Sequence, residues 1–133
     1  MSNHTLEIVR GVYERWGKGD FAAGAELIDQ ASVLVLHPQF ADAGIYAGPE
    51  EVRTYMRGLL EAWEHLTIRC LAAWSAEDCV VAEVEQSGTG RLSGAETSLR
   101  YFQVWTFRGG NLMRLENIMD RGDAFAAAGL EPA

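Results

Sequence analysis

The sequence predicts an α+β domain: a cone-shaped, curved and mainly antiparallel sheet, packed with three helices from the N-terminal half and a short C-terminal helix, enclosing a pocket. Three observations predict it. Apolar residues recur at three- and four-residue spacing through the first half, the period changes to two from Leu66 onward, and the alternating strands send aromatics and methionines to one face.

Leu6, Val9, Tyr13 and Trp16, widened by Ile8 and Val12, form the stripe of a first amphipathic helix, and Gly17-Lys18-Gly19 ends it. Asp20 is placed to cap a second short helix with Phe21, Ala25, Leu27 and Ile28 on its apolar side. Ser32 to His37 is a β-branched apolar run too short for a helix, and Pro38 stops it, so it reads as a buried strand. Gly48-Pro49-Glu50-Glu51 then puts proline at a first helical position and two carboxylates where the helix dipole favours them. That third helix runs to about Trp63 with Val52, Tyr55, Met56, Leu59, Leu60 and Trp63 on its core side. Strands follow near Leu66–Trp74, Cys79–Ser87, Ser98–Arg108 and Leu112–Asp120, joined by short turns into an antiparallel meander. The segment Gly88–Gly94 links two strands instead of opening a helix, so it reads as a hairpin loop and not as a phosphate cradle. A short helix from about Asp123 to Ala128 ends at Gly129.

The chain has 133 residues, the size of one domain with one sizeable core, and the expectation is a single domain over residues 1–133. A net charge of −8 with no run of lysine or arginine repels phosphate backbones and anionic bilayers, so neither nucleic acid nor membrane is expected as a partner. No apolar stretch near the start has the length of a secretory signal, and no run reaches that of a membrane span; a cytoplasmic protein is expected. Cys70 and Cys79 fall in non-facing register on neighbouring strands and read as buried free thiols. His4 and His65 have no partners at metal-ligand spacing, and neither a metal nor a cofactor is expected.

Strand parity assigns faces. Val80, Ala82, Val84, Gln86, Gln103, Trp105, Phe107, Met113, Leu115, Asn117 and Met119 share the inner one; Glu83, Glu85, Arg100, Arg114 and Glu116 share the outer one with Phe102 and Val104. The apolar residues of the outer face, Ile118 among them, point to a homodimer formed through it. A strongly bent sheet cannot be filled completely by its own side chains. The expected pocket is lined by Tyr46, Tyr55, Trp63, Trp105, Met113 and Met119, with Gln103 and Asn117 as polar groups, and suits a small apolar or ring-shaped organic ligand. For each aromatic taken alone, plain core packing is the other reading.

Several stretches carry a resemblance: Val12-Tyr13 through Gly19-Asp20-Phe21, Val35-Leu36-His37-Pro38, Tyr46-Ala47-Gly48 before Pro49-Glu50-Glu51-Val52, Gly88 to Gly94, and Trp105-Thr106-Phe107-Arg108-Gly109-Gly110. Together they resemble the nuclear transport factor 2-like superfamily, in its SnoaL-like and ketosteroid-isomerase-like branch, over about Leu6 to Gly129. The resemblance implies a cofactor-free isomerase or cyclase working by acid/base chemistry. His37 falls where ketosteroid isomerases carry their general base and would act as the base here, or else serve structure at a strand end. Of the oxyanion partners of those enzymes, the tyrosine position falls on Val12, with Tyr13 one residue away, and the aspartate position on Gln103. Asp120 falls near the catalytic Asp of SnoaL-like cyclases, while its parity and its place before a helix make it a cap. The alternative to an enzyme is a non-catalytic ligand-binding or dimerisation module.

Overall fold

The computed structural model describes residues 3–130. Helix α1 (Asn3–Gly17) is followed by one 3₁₀ turn (Ala25–Leu27), strands β1 (Ile28–Leu36) and β2 (Gly44–Ala47), and helix α2 (Gly48–Ala62). Strands β3 (Trp63–Ser75), β4 (Cys79–Gly90), β5 (Glu96–Arg108) and β6 (Asn111–Ile118) come next, and helix α3 (Arg121–Ala127) closes the described chain. The six strands form one open, curved sheet in the order β2-β1-β6-β5-β4-β3, antiparallel throughout except for the parallel pair β1 and β6. Chain-neighbouring strands can be antiparallel because turns join them; β1 reaches β6 only across the whole of the intervening chain.

Local chemistry sets the element ends. The Glu51 carboxylate accepts a hydrogen bond from the N-cap amide of Ala47 at 2.8 Å, satisfying a donor at the start of α2. Gly109 and Gly110 both have positive φ, 57° and 85°, which the two-residue turn from β5 to β6 requires and which side chains resist. The expected second helix shrinks to the single 3₁₀ turn. Gly24 is left-handed at φ 92°, which breaks the helix, and Ile28 already belongs to β1. Strand β2 was not expected; four residues carry too little alternation to announce a strand, and its pairing with β1 defines it. The glycine-rich hairpin is partly strand, with Gly88 opposite Thr97 and Thr89 opposite Glu96.

Helix α1 packs on β3 and β4 and α2 on β1, so both lie over the inner face. Helix α3 packs on β5 and β6 against the outer face. Phe125, 2% exposed, lies in one cluster with Val81, Phe102, Val104 and Ile118, and Trp74 packs beside it. The Arg121 guanidinium caps the cluster, 4.8 Å from the Phe125 ring centroid and 5.0 Å from that of Trp74. The residues expected to join two copies are thus buried within one: Val104 is 0% and Phe102 7% exposed. The sequence placed a helix after the last strand but gave no sign of which face it would cover. Elsewhere on that face, Glu85 accepts from Arg69 on β3 and Arg100 on β5, and these hydrogen bonds hold its pKa below the usual carboxylate range. Cys70 lies opposite Val84 and Cys79 opposite Thr106; both thiols are free and half-buried instead of fully buried.

Candidate functional site

Between the inner face of the sheet and the two long helices lies a cavity of about 350 Å³. Its wall is mainly apolar. Trp16 and Phe21 come from α1 and the loop after it, Leu34 from β1, Val52, Met56 and Leu59 from α2, and Trp105 and Leu115 from the sheet. Ser32, Gln86, Gln103 and Asn117 bring hydroxyl and amide groups to it, Tyr55 and Tyr101 line it as well, and one charged side chain, Arg53, reaches it. The Ser32 hydroxyl is already spent on the backbone carbonyl of Leu112.

The other polar groups form directed chains. Trp105 Nε1–H donates to the Tyr13 hydroxyl at 2.8 Å, Tyr13 donates to Gln103 Oε1 at 2.6 Å, and Gln103 Nε2 donates to Asn117 Oδ1 at 3.1 Å. The direction follows from chemistry. An indole nitrogen can only donate, so the tyrosine proton must go onward to an acceptor, which turns the Gln103 carbonyl toward Tyr13 and its NH₂ toward the Asn117 oxygen. The chain therefore ends on the Asn117 NH₂, which has no protein acceptor among the described residues and belongs to the cavity wall. A shorter chain, Tyr101 hydroxyl to Gln86 Oε1 at 2.7 Å, leaves the Gln86 NH₂ as a second donor at the wall. Burial pushes the hydroxyl pKa of Tyr13, Tyr55 and Tyr101 well above the ordinary tyrosine value, with the Asp42 charge adding to the rise at Tyr55 and Tyr101. These hydroxyls stay protonated, so the donor chains keep their direction at neutral pH.

Of the residues selected from sequence, Tyr55, Gln103, Trp105 and Asn117 line the cavity together. Tyr46 and Trp63 do not: they line an open groove on the far side of α2, where the Tyr46 ring packs tilted against that of Tyr55, centroids 4.9 Å apart, and its hydroxyl donates to the Asp42 carbonyl. Trp63 lies against Gly88, where a Cβ would meet its ring at 3.4 Å. Met113 is displaced by a bulge: Thr106 pairs with Arg114 but Phe107 with Leu112, so Leu112 takes the inward place expected for Met113. Met119 packs against the core from its edge without reaching the cavity wall.

His37 departs furthest from expectation. It follows Val33 and Val35 in parity, while Leu34 and Leu36 face inward, so its ring turns to the outer face. There Nε2 lies 3.0 Å from Glu116 Oε2, and Arg114 Nε donates to the other oxygen of that buried carboxylate at 3.1 Å. His37 is absent from the cavity wall. Asp120 is the N-cap of α3, accepting from the Asp123 amide at 2.9 Å, and is exposed. Sequence reading missed Tyr101 as part of the site and met Tyr13 only as one residue off the oxyanion tyrosine position. The available signal was a hydroxyl on each of two inward-facing stripes, which burial obliges to find a partner.

Among the described residues no three His, Cys, Asp or Glu side chains gather as a metal site would require, and no helix is long and apolar enough to cross a membrane. The SnoaL-like domain family matches residues 9–115. A crystal structure of an NTF2-like protein from Burkholderia thailandensis superposes with a TM-score of 0.77 at 30% sequence identity, covering 92% of this chain and 95% of that one. An NTF2-like protein of unknown function from Burkholderia pseudomallei matches with TM-score 0.77 and 18% identity over 96% of this chain and 98% of its own. A protein with a ketosteroid isomerase-like fold from Catenulispora acidiphila, in complex with trimethylamine, matches with TM-score 0.73 and 18% identity over 95% of each chain. The last two matches speak to the fold alone. Comparison with curated proteins gives no match.

Proposed function

The chain belongs to the SnoaL-like domain family, and from that premise we propose that it binds a flat or ring-shaped organic molecule in the cavity and holds a carbonyl oxygen of it on the Asn117 amide. The observation that carries this reading is the directed chain from Trp105 through Tyr13 and Gln103, which leaves a fixed N–H donor in a mainly apolar wall. Few polar groups in a mostly apolar concavity are what ligand sites present, and a donor whose orientation is already set loses little freedom on binding. Among the described residues that line the cavity none is a carboxylate or an imidazole, so proton abstraction there has no protein base of the usual kind. This supports the non-catalytic reading over an isomerase or cyclase. The bound trimethylamine of the Catenulispora protein supports a small-molecule role for the fold.

Trp16 and Trp105 line the cavity, so quenching of intrinsic fluorescence reports its filling. The probes are 2-acetylnaphthalene and 2-ethylnaphthalene, alike in size and different in one oxygen. Asn117→Leu is expected to weaken the ketone about 3- to 10-fold, the net worth of one hydrogen bond, while leaving the hydrocarbon nearly unchanged. Equal affinities of wild type and variant for the ketone refute the assignment of the donor. A second reading keeps His37 as general acid/base at a site on the outer face of the sheet, apart from the cavity, and is favoured by its contact with the buried Glu116 carboxylate. Protein-accelerated exchange of the ketone methyl protons with D₂O, abolished in His37→Ala, supports it; exchange indifferent to that change eliminates it.

A further inference from the structure

We propose that Arg53 receives a carboxylate at the mouth of the cavity, so that the ligand is an amphipathic organic acid: ring body inside, acid group at the rim. The proposal rests on the cavity being the ligand site. Helix α2 turns the positions Pro49, Val52, Arg53, Met56 and Leu59 to the cavity, the spacing of one helical face, and Arg53 is the charged member of that stripe. The methylenes of an arginine pack on such a stripe, but its guanidinium needs water or an acceptor.

Position adds a second observation. Phe21, Ala22, Arg53 and Met56 line both the cavity and an adjoining surface groove, so Arg53 stands where the cavity meets solvent. The charged groups facing it there are Asp20, Arg57, Glu61 and Arg91. Asp20 is engaged by Arg15 at 3.0 Å and Arg91 by Glu64 at 3.6 Å, while Arg57 and Glu61 lie four residues apart on α2 without forming an ion pair. Arg53 has no carboxylate partner among the described residues, in a chain that carries a net charge of −8. The exposed guanidinium is hydrated when the cavity is empty, which avoids the cost of burying a lone charge, and its planar fork matches a carboxylate in two parallel hydrogen bonds. The overall negative field works against any anion, so a preference for one must come from this local group.

The test compares 6-acetyl-2-naphthoic acid with its methyl ester at neutral pH by tryptophan fluorescence. Wild type is expected to bind the acid about 5- to 10-fold more tightly than the ester, with the ratio shrinking in high salt. In Arg53→Gln the acid-to-ester ratio falls to about one or below, and Arg53→Lys keeps part of it. A wild-type ratio of one, or a preference that survives Arg53→Gln, overturns the role of Arg53 while the cavity reading stands. Failure of both probes to bind overturns the cavity reading and this one with it.

Discussion

Tyr13→Phe removes one oxygen atom and almost no volume, yet it cuts the donor chain in the middle. Trp105 Nε1–H loses its acceptor and Gln103 Oε1 its donor, in side chains that are 1% and 4% exposed. Each of the two orphaned buried groups costs about 1–3 kcal/mol, and removing the hydroxyl's own desolvation returns about 1 kcal/mol, so the net loss is about 1–5 kcal/mol. That is a large share of the roughly 5–15 kcal/mol that holds a domain together. Urea unfolding followed by fluorescence should show the midpoint falling by about 0.5–2.5 M at unchanged slope, taking a slope of about 2 kcal/mol/M. Gln103→Leu added to Tyr13→Phe should cost less than the sum of the two single changes by about 1–3 kcal/mol, because the second change removes a group the first had orphaned. The ketone probe should also bind more weakly to Tyr13→Phe, although Tyr13 is not part of the cavity wall, because Gln103 loses the bond that fixes which way its amide points. A stability loss under about 1 kcal/mol with unchanged ketone binding refutes the directed chain.

Two further outcomes follow from the packing. Tyr13 and Tyr101 have folded-state pKa values raised by burial, so the unfolded chain releases their protons first as pH rises past about 10; stability is complete below that pH and falls above it, by about 3 kcal/mol for the pair at pH 11. Tyr101→Phe should flatten that decline, and a stability profile level from pH 9 to 11 contradicts the burial argument. Phe125→Ala should cost about 3–5 kcal/mol by opening the cluster under α3, and light scattering should show new self-association through the uncovered Phe102 and Val104. A stable variant of unchanged mass would mean that α3 is not what covers this face.

Much of the site's address was legible in the chain and much of its wiring was not. Gln103 and Asn117 share the inner face by strand parity, and they pair across β5 and β6. The same parity applied to β1 separates His37 from Leu34 and Leu36, so the outward turn of His37 is written in the sequence. The bulge at Met113 was not legible. An inserted residue leaves alternation intact on each side and shifts only the partner it meets.

What the sequence determined by itself is the set of elements with strong periods, the two faces of β4 and β5, and the net charge of −8. These depend on near neighbours, since helical and strand periods are properties of ten or fifteen consecutive residues. Tertiary structure alone decided that Tyr13 meets Gln103 across 90 positions of chain, that α3 covers the apolar outer face, and that Arg53 stands at the cavity's rim. Such contacts are set by how helices dock on a bent sheet, and that docking is chosen by the whole core at once, through shape and hydrogen-bond satisfaction that no local window contains.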